Sequence, residues 1–248
     1  MDVKGRWALV TGGSRGIGAA TVRELAGRGA KVVFTWHTGE REAAELARSL
    51  PAGAEALVLA CDVRRPGDID RVAAEVRSRG IVIDVLVNNA GTPIRGTFEE
   101  ATAEQWDEAF ALHVRAPALF AKAFVPGMKE RGHGVIVNVG SVAGIRGVAN
   151  ITLYCTVKGA VIQMTRAMAR DLADAGVRAV CVSPGIIRTD FHRSMSAAQK
   201  KLNEEQRIPL HREGRPEEVA RVIVALIEAD YITGENIVID GGLTMRIA

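Results

Sequence analysis

The 248-residue sequence predicts a doubly wound α/β fold with a seven-stranded parallel sheet flanked by helices. Short apolar runs rich in β-branched residues alternate with longer, Ala-rich stretches of helical pattern. The apolar runs are also nearly continuous, as in Val85-Leu86-Val87 and Val135-Ile136-Val137, which marks strands covered on both faces. Finally, 26 glycines and 4% aromatic residues suit layers of Ala, Val, Leu and Ile joined by tight turns. In chain order, strands are expected at residues 7–11, 31–35 and 56–61, with helices at 16–26, 40–50 and 66–79 between and after them. Further strands follow at 83–88, 135–139, 177–182 and 237–239, separated by helices around 102–128, 152–175 and 216–229. Nothing in the chain reads as a linker, so residues 1–248 are expected to form a single domain. The longest irregular stretch, 184–215, contains a short helical piece near 197–206 and is expected to serve as a substrate loop; plain surface decoration is its alternative.

A formal charge of +3, with basic and acidic residues interspersed, provides no polycationic face for nucleic acid. No apolar run approaches a spanning helix, and residues 1–6 lead directly into a strand-like segment, so a cytoplasmic protein away from membranes is expected. Cys61, Cys155 and Cys181 lack metal-ligand spacing and read as reduced packing thiols; no metal site is expected.

The first strand ends in Thr11-Gly12-Gly13-Ser14-Arg15-Gly16-Ile17-Gly18, a glycine-rich turn that opens a helix. Unpaired N–H groups and the positive helix end at such a turn can hold a pyrophosphate, the arrangement of a Rossmann-type domain. An ordinary glycine turn is the alternative, and the strand–turn–helix context weighs against it. Dinucleotide folds often carry an acidic residue at the end of strand two, yet this chain reads Phe34-Thr35-Trp36-His37-Thr38. Arg15 and His37 could instead face a 2′-phosphate, favouring NADP(H) while leaving NAD(H) possible; both residues also fit a bland exposed surface.

Tyr154 and Lys158 stand four apart in a helical pattern and so share one face, where an ammonium can approach a phenol. A free phenol titrates near pH 10, and a neighbouring cation can bring it toward the working range. Ser141 follows the apolar run 135–139, at the carboxyl end of the sheet where open α/β folds bind ligands; a structural turn serine is its other reading.

Taken together, the loop from Thr11 to Gly18, Asn88-Asn89-Ala90-Gly91, Ser141, Tyr154-Cys155-Thr156-Val157-Lys158 and Pro184-Gly185 resemble the short-chain dehydrogenase/reductase family over nearly the whole chain. Ile232-Thr233-Gly234 and Asp240-Gly241-Gly242 bring the 3-oxoacyl-carrier-protein reductase and glucose dehydrogenase-like members nearest. The resemblance implies a hydride exchange between a nicotinamide coenzyme and a small-molecule carbonyl or alcohol. Tyr154 would then be the proton donor or acceptor, Ser141 would bond the substrate oxygen, and Lys158 would lower the tyrosine pKa and bind the nicotinamide ribose. It also implies that Asp62 and Val63 line the adenine pocket and that Asn89, Ala90 and Gly91 run beside the adenosine ribose. Asn88 would brace the sheet, Ile187 and Thr189 would secure the carboxamide, and the chain would form a homotetramer. The substrate would meet residues 145–150, 191–195 and 92–95.

The chain departs from the family pattern at one position. Many members carry asparagine in the helix after strand four, in a water-held proton relay, whereas this sequence has Leu112-His113-Val114. An imidazole could serve that relay, titrating between about pH 5 and 8, with asparagine as a working substitute; a satisfied buried histidine is the alternative. Two rival functions stay in view: a silent nicotinamide-binding sensor, and a non-redox lyase. Intact Ser141, Tyr154 and Lys158 weigh against the first, and the glycine loop together with Lys158 against the second.

Overall fold

The computed structural model describes residues 1–189 and 195–245. Seven parallel strands form one sheet: β1 (Trp7–Val10), β2 (Lys31–Trp36), β3 (Ala56–Ala60), β4 (Ile83–Asn88), β5 (Gly134–Val139), β6 (Val177–Pro184) and β7 (Asn236–Ile239). Their order is β3-β2-β1-β4-β5-β6-β7, so the chain reverses its direction of winding between β1 and β4. At such a switch point the flanking connections leave toward opposite faces and open a crevice at the carboxyl ends of the strands. The central strands are excluded from water on both faces; Leu9, Val10, Val85, Leu86, Val87, Ile136 and Val137 have no exposed area.

Those faces are covered by two apolar layers. One packs α1 (Gly16–Gly27), α2 (Glu40–Arg48) and α8 (Pro216–Glu228) against Val10, Val32, Phe34, Val87 and Val180. The other packs α3 (Pro66–Ser78), α5 (Ala116–Arg131) and α6 (Thr152–Leu172) against Leu9, Val33, Leu86 and Ile136. Alternation of side chains along each strand distributes these residues between the layers. A short α7 (Ala197–Leu202) follows β6. No helix among the described residues is long and apolar enough to cross a membrane.

The stretch expected as one helix over 102–128 divides into α4 (Ala103–Phe110), a π-helical turn (Ala111–Arg115) and α5. Thr102 starts α4 with a capping box: its hydroxyl accepts from the Gln105 N–H at 3.3 Å, and the Gln105 side chain accepts from the Thr102 N–H at 3.1 Å. The interruption follows from Pro117, which has no N–H to give the carbonyl four residues earlier, that of His113. The wider turn that results is closed by the Ala116 N–H on the Ala111 carbonyl.

Arg178 on β6 ties the end of α8 to the sheet. Its guanidinium donates to the carbonyls of Leu226 at 3.1 Å, Ile227 at 2.6 Å and Ile232 at 2.9 Å, which lie at or just beyond the last helical turn. Arg178→Met keeps most of the stem and removes these donors, so it is expected to lower unfolding stability by about 2–4 kcal/mol. Urea unfolding of both forms measures this; a midpoint unchanged at equal slope contradicts it.

Candidate active site

At the switch point β1 runs into the glycine turn, and the turn is held from below. Asn89, just after β4, donates its side-chain amide to the carbonyls of Thr11 and Gly12, both at 3.0 Å. The Thr11 hydroxyl accepts from the N–H groups of Asn89 and Ala90, both at 3.0 Å, and the Thr35 hydroxyl accepts from the Gly12 N–H at 3.2 Å. Glycine is required where these pieces meet: a Cβ on Gly18 would lie 2.2 Å from the Gly12 carbonyl oxygen. The first turn of α1 carries no acidic residue, and Arg15 supplies no side-chain cap, so the turn's amides and the positive end of the helix suit an anion. Thr189 bends over the turn, its methyl facing Gly16, and its hydroxyl donates to the Ile187 carbonyl at 3.3 Å. Ile187 is buried and bridges to Gly214. An open cleft of about 510 Å³ lies outside the turn, between Ser14, Arg15, Leu46, Arg188 and Thr189; it flanks the loop and does not reach Tyr154.

On the adenosine side expected from the sequence, Arg15 donates to the Thr38 hydroxyl at 3.0 Å. His37 stands 3.6 Å from the Asp62 carboxylate, which also receives a two-pronged bond from Arg64 at 2.9 and 2.8 Å. That fork holds the Asp62 carboxyl down at about 2, and the Arg65 guanidinium lies 3.7 Å from it. Val63 is buried beside them. Arg64 was not singled out from the sequence; an arginine two residues from an aspartate is too common to signal a fork.

The second half of the site stands at the carboxyl end of β5. Ser141 follows the strand and begins a 3-10 turn (Val142–Gly144), its hydroxyl accepting from the Ala143 N–H at 3.1 Å. The hydroxyl proton is left to bond the phenol of Tyr154. Gly144 lets α6 close onto this turn, because a Cβ there would lie 2.6 Å from the Lys158 backbone. Lys158 is buried and donates from Nζ to the Val139 carbonyl at 2.8 Å, with the same nitrogen 5.6 Å from the centre of the Tyr154 ring. Serine, phenol and ammonium, each singled out from the sequence, thus lie together here. Their electrostatics differ from the expectation. Tyr154 is half-buried, and poor hydration pushes its phenol above the ordinary value, against the lowering effect of Ser141. Burial brings Lys158 down to about 8.

His113, in the π turn, is 2% exposed and meets the Tyr154 ring edge-on, 5.6 Å between centres and 85° between planes. Burial first, then the charge on Lys158, hold its imidazole well below the usual histidine range. That direction runs against the titration between about pH 5 and 8 expected of a relay imidazole and suits the alternative of a buried histidine. Asn88 braces the sheet, as expected, by donating to Asn138 at 2.9 Å, and Asn138 passes the link to Thr165 on α6 at 2.9 Å. Of the substrate-side residues named from the sequence, 191–194 lie outside the described residues.

The glycine turn at the switch point and the convergence of Ser141, Tyr154 and Lys158 thus stand at the carboxyl ends of neighbouring strands of one doubly wound sheet. Residues 12–244 match the family model described as enoyl-(acyl carrier protein) reductase, and the chain belongs to the short-chain dehydrogenase/reductase family. It is 35% identical over 247 residues to the 3-oxoacyl-acyl-carrier-protein reductase of Escherichia coli (strain K12), covering 99% of this chain and 100% of that protein. Among solved structures, the L-sorbose reductase of Gluconobacter frateurii in complex with NADPH and L-sorbose superposes with a TM-score of 0.92 at 31% identity, covering all of both chains. A blue fluorescent protein from a metagenomic library, in complex with NADPH, gives 0.91 at 34% identity, covering 98% of this chain and 100% of that one.

The depressed Lys158 value makes a stability prediction. At pH 7 both folded and unfolded chains carry this proton, and the folded chain bears the cost of a buried ammonium, roughly 3 kcal/mol from the drop between 10.5 and about 8. From about pH 8 to the unfolded value, the unfolded chain binds the extra proton, so this group's contribution to stability rises with pH. Lys158→Met is expected to raise the unfolding midpoint at pH 7, with the gain shrinking toward about pH 10. Thermal unfolding across that range checks it; a midpoint lowered at pH 7 contradicts it.

Proposed function

We propose that this oxidoreductase uses NADP(H) to reduce a small-molecule carbonyl, or to oxidise the matching secondary alcohol, with Tyr154 as the proton-transferring group. The convergence of Tyr154, Ser141 and Lys158 beside the switch-point crevice carries the reading. The site fits the coenzyme: α1 begins with open amides, the glycine turn excludes side chains, and Arg15 reaches the end of β2, where residues 34–38 include no carboxylate. The NADPH-bound neighbours and the acyl-carrier-protein reductase relative support the same choice.

Bound NADPH supplies the hydride. Tyr154, kept protonated by its poorly hydrated setting, gives its proton to the carbonyl oxygen as negative charge develops there. Ser141, with one hydrogen to donate, bonds the same oxygen and holds it against the phenol. Lys158 has N–H groups beyond the one used on Val139; they bind the ribose and offset the phenolate left behind. In this reading Gly12, Ser14, Gly16, Ile17 and Gly18 hold the pyrophosphate. Asp62, Val63, Asn89, Ala90 and Gly91 line the adenosine, and Ile187 and Thr189 the carboxamide. The single-domain chain, its loop over 184–215 as the substrate cover, a homotetramer and a cytoplasmic location belong to the same proposal.

Two outcomes test it. Tyr154→Phe keeps the ring and removes the transferable proton, so turnover of a ketone identified from a panel of ketoacyl thioesters, sugars and other ketones should fall by about two orders of magnitude or more while NADPH affinity holds. Equal turnover in both forms removes Tyr154 from the chemistry. NADPH should also exceed NADH in kcat/KM, and Arg15→Ala should cut that preference by about tenfold or more through loss of a charge-assisted contact. A preference for NADH untouched by Arg15→Ala excludes the coenzyme assignment.

A further inference from the structure

The segment just after Asn89-Ala90-Gly91 is held at two points. At its far end, the Gly96 N–H donates to the Asn150 carbonyl at 2.9 Å, and Gly96 bridges to Ile151, three residues before Tyr154. At its near end, the Thr92 carbonyl lies 3.1 Å from Nε2 of His113. Between them Ile94 packs against the buried cluster of Ala109, Leu153 and Val157. Residues 92–96 therefore form a short strap clipped to Asn150 and Ile151, just before α6, on one side and to the π turn on the other.

The His113 end has a defined chemistry. A carbonyl oxygen can only accept, so Nε2 carries the hydrogen, and in the neutral ring Nδ1 is then a bare acceptor. Nδ1 is buried and has no hydrogen-bond partner among the described residues. The ring is walled by backbone: a Cβ on Gly91 would lie 2.9 Å from Cε1 and 3.2 Å from Nδ1. On another side the ring meets that of Tyr154. One imidazole thus meets the backbone after β4, the strap and the phenol together, and its Nε2–H is the polar bond that joins them.

We propose that His113 is a positioning residue, whose Nε2–H clip on Thr92 holds the 92–96 strap against Tyr154 and so shapes the substrate side of the cleft. The proposal rests on the reductase reading for its kinetic arm and stands on geometry for the rest. It assigns the work to Nε2, whereas a relay through a bound water would use Nδ1. Side-chain length separates the two. The amide nitrogen of asparagine reaches only to where Nδ1 lies, and that of glutamine reaches one bond further, to the place of Nε2.

The test compares the parent, His113→Asn and His113→Gln by hydrogen exchange of the backbone amides over residues 92–97 in the free protein, and by steady-state kinetics with NADPH and a ketone that the parent turns over. In His113→Asn, strap exchange should accelerate about tenfold and the ketone KM should rise about tenfold, with kcat within about threefold and NADPH affinity unchanged. His113→Gln should restore both toward the parent. Parent-like exchange and KM in the asparagine form, or a glutamine form as impaired as the asparagine form, would overturn the clip. If no ketone is turned over by the parent, the reductase reading fails by itself, and the exchange rates still decide whether Nε2 holds the strap.

Discussion

The bond from the Lys158 ammonium to the Val139 carbonyl is the contact around which the site is arranged. It joins the second turn of α6 to the last residue of β5, and it places a charge where the sheet ends and the crevice begins. A buried cation with one carbonyl partner is costly to fold around. The chain concentrates other supports nearby: Gly144 lets the helix approach the 3-10 turn, and the Asn88–Asn138–Thr165 chain links β4, β5 and α6 from within. Burial then acts in opposite directions on two neighbouring groups, raising the Tyr154 phenol and lowering the Lys158 ammonium. The proposed chemistry uses both, a phenol still bearing its proton beside a cation able to answer the charge left when the proton departs.

The coenzyme half is built by a different means. Its turn is shaped mainly by backbone, with Thr11, Thr35 and Asn89 fixing the carbonyls and amides and leaving the helix end open to an anion. The two halves meet because β1 and β4 are neighbours and β5 is next in order. Coenzyme and carbonyl would therefore be oriented by adjacent strands of one sheet, a more rigid reference than the loops that cover them.

Much of this was legible in the sequence because the signals were local. Continuous apolar runs gave the seven strands, and the order of strand, glycine turn and helix gave the turn at the switch point. The four-residue spacing of Tyr154 and Lys158 put them on one face of α6. The division of the long helix was also encoded locally, in the N–H that Pro117 lacks, although a periodic apolar pattern running through it masks the break. What could not be read depends on side-chain placements that only the folded chain sets. Arg64 forking onto Asp62 and His113 meeting the Thr92 carbonyl are visible only once the chain is folded. The same holds for protonation: the sequence shows a lysine near a tyrosine, and depth below the surface decides that desolvation outweighs their mutual influence in the free protein.

The electrostatic claim can be measured directly because the chain has two tyrosines, Tyr154 and Tyr231, and Tyr231 is fully exposed. In a Tyr231→Phe background, an ultraviolet titration of the coenzyme-free protein reports the Tyr154 phenol alone. The account predicts no tyrosinate absorbance up to about pH 10, the value of an unperturbed phenol. A tyrosinate band growing in near neutral pH would contradict it, showing that the neighbouring ammonium, and not burial, governs this phenol before any coenzyme binds.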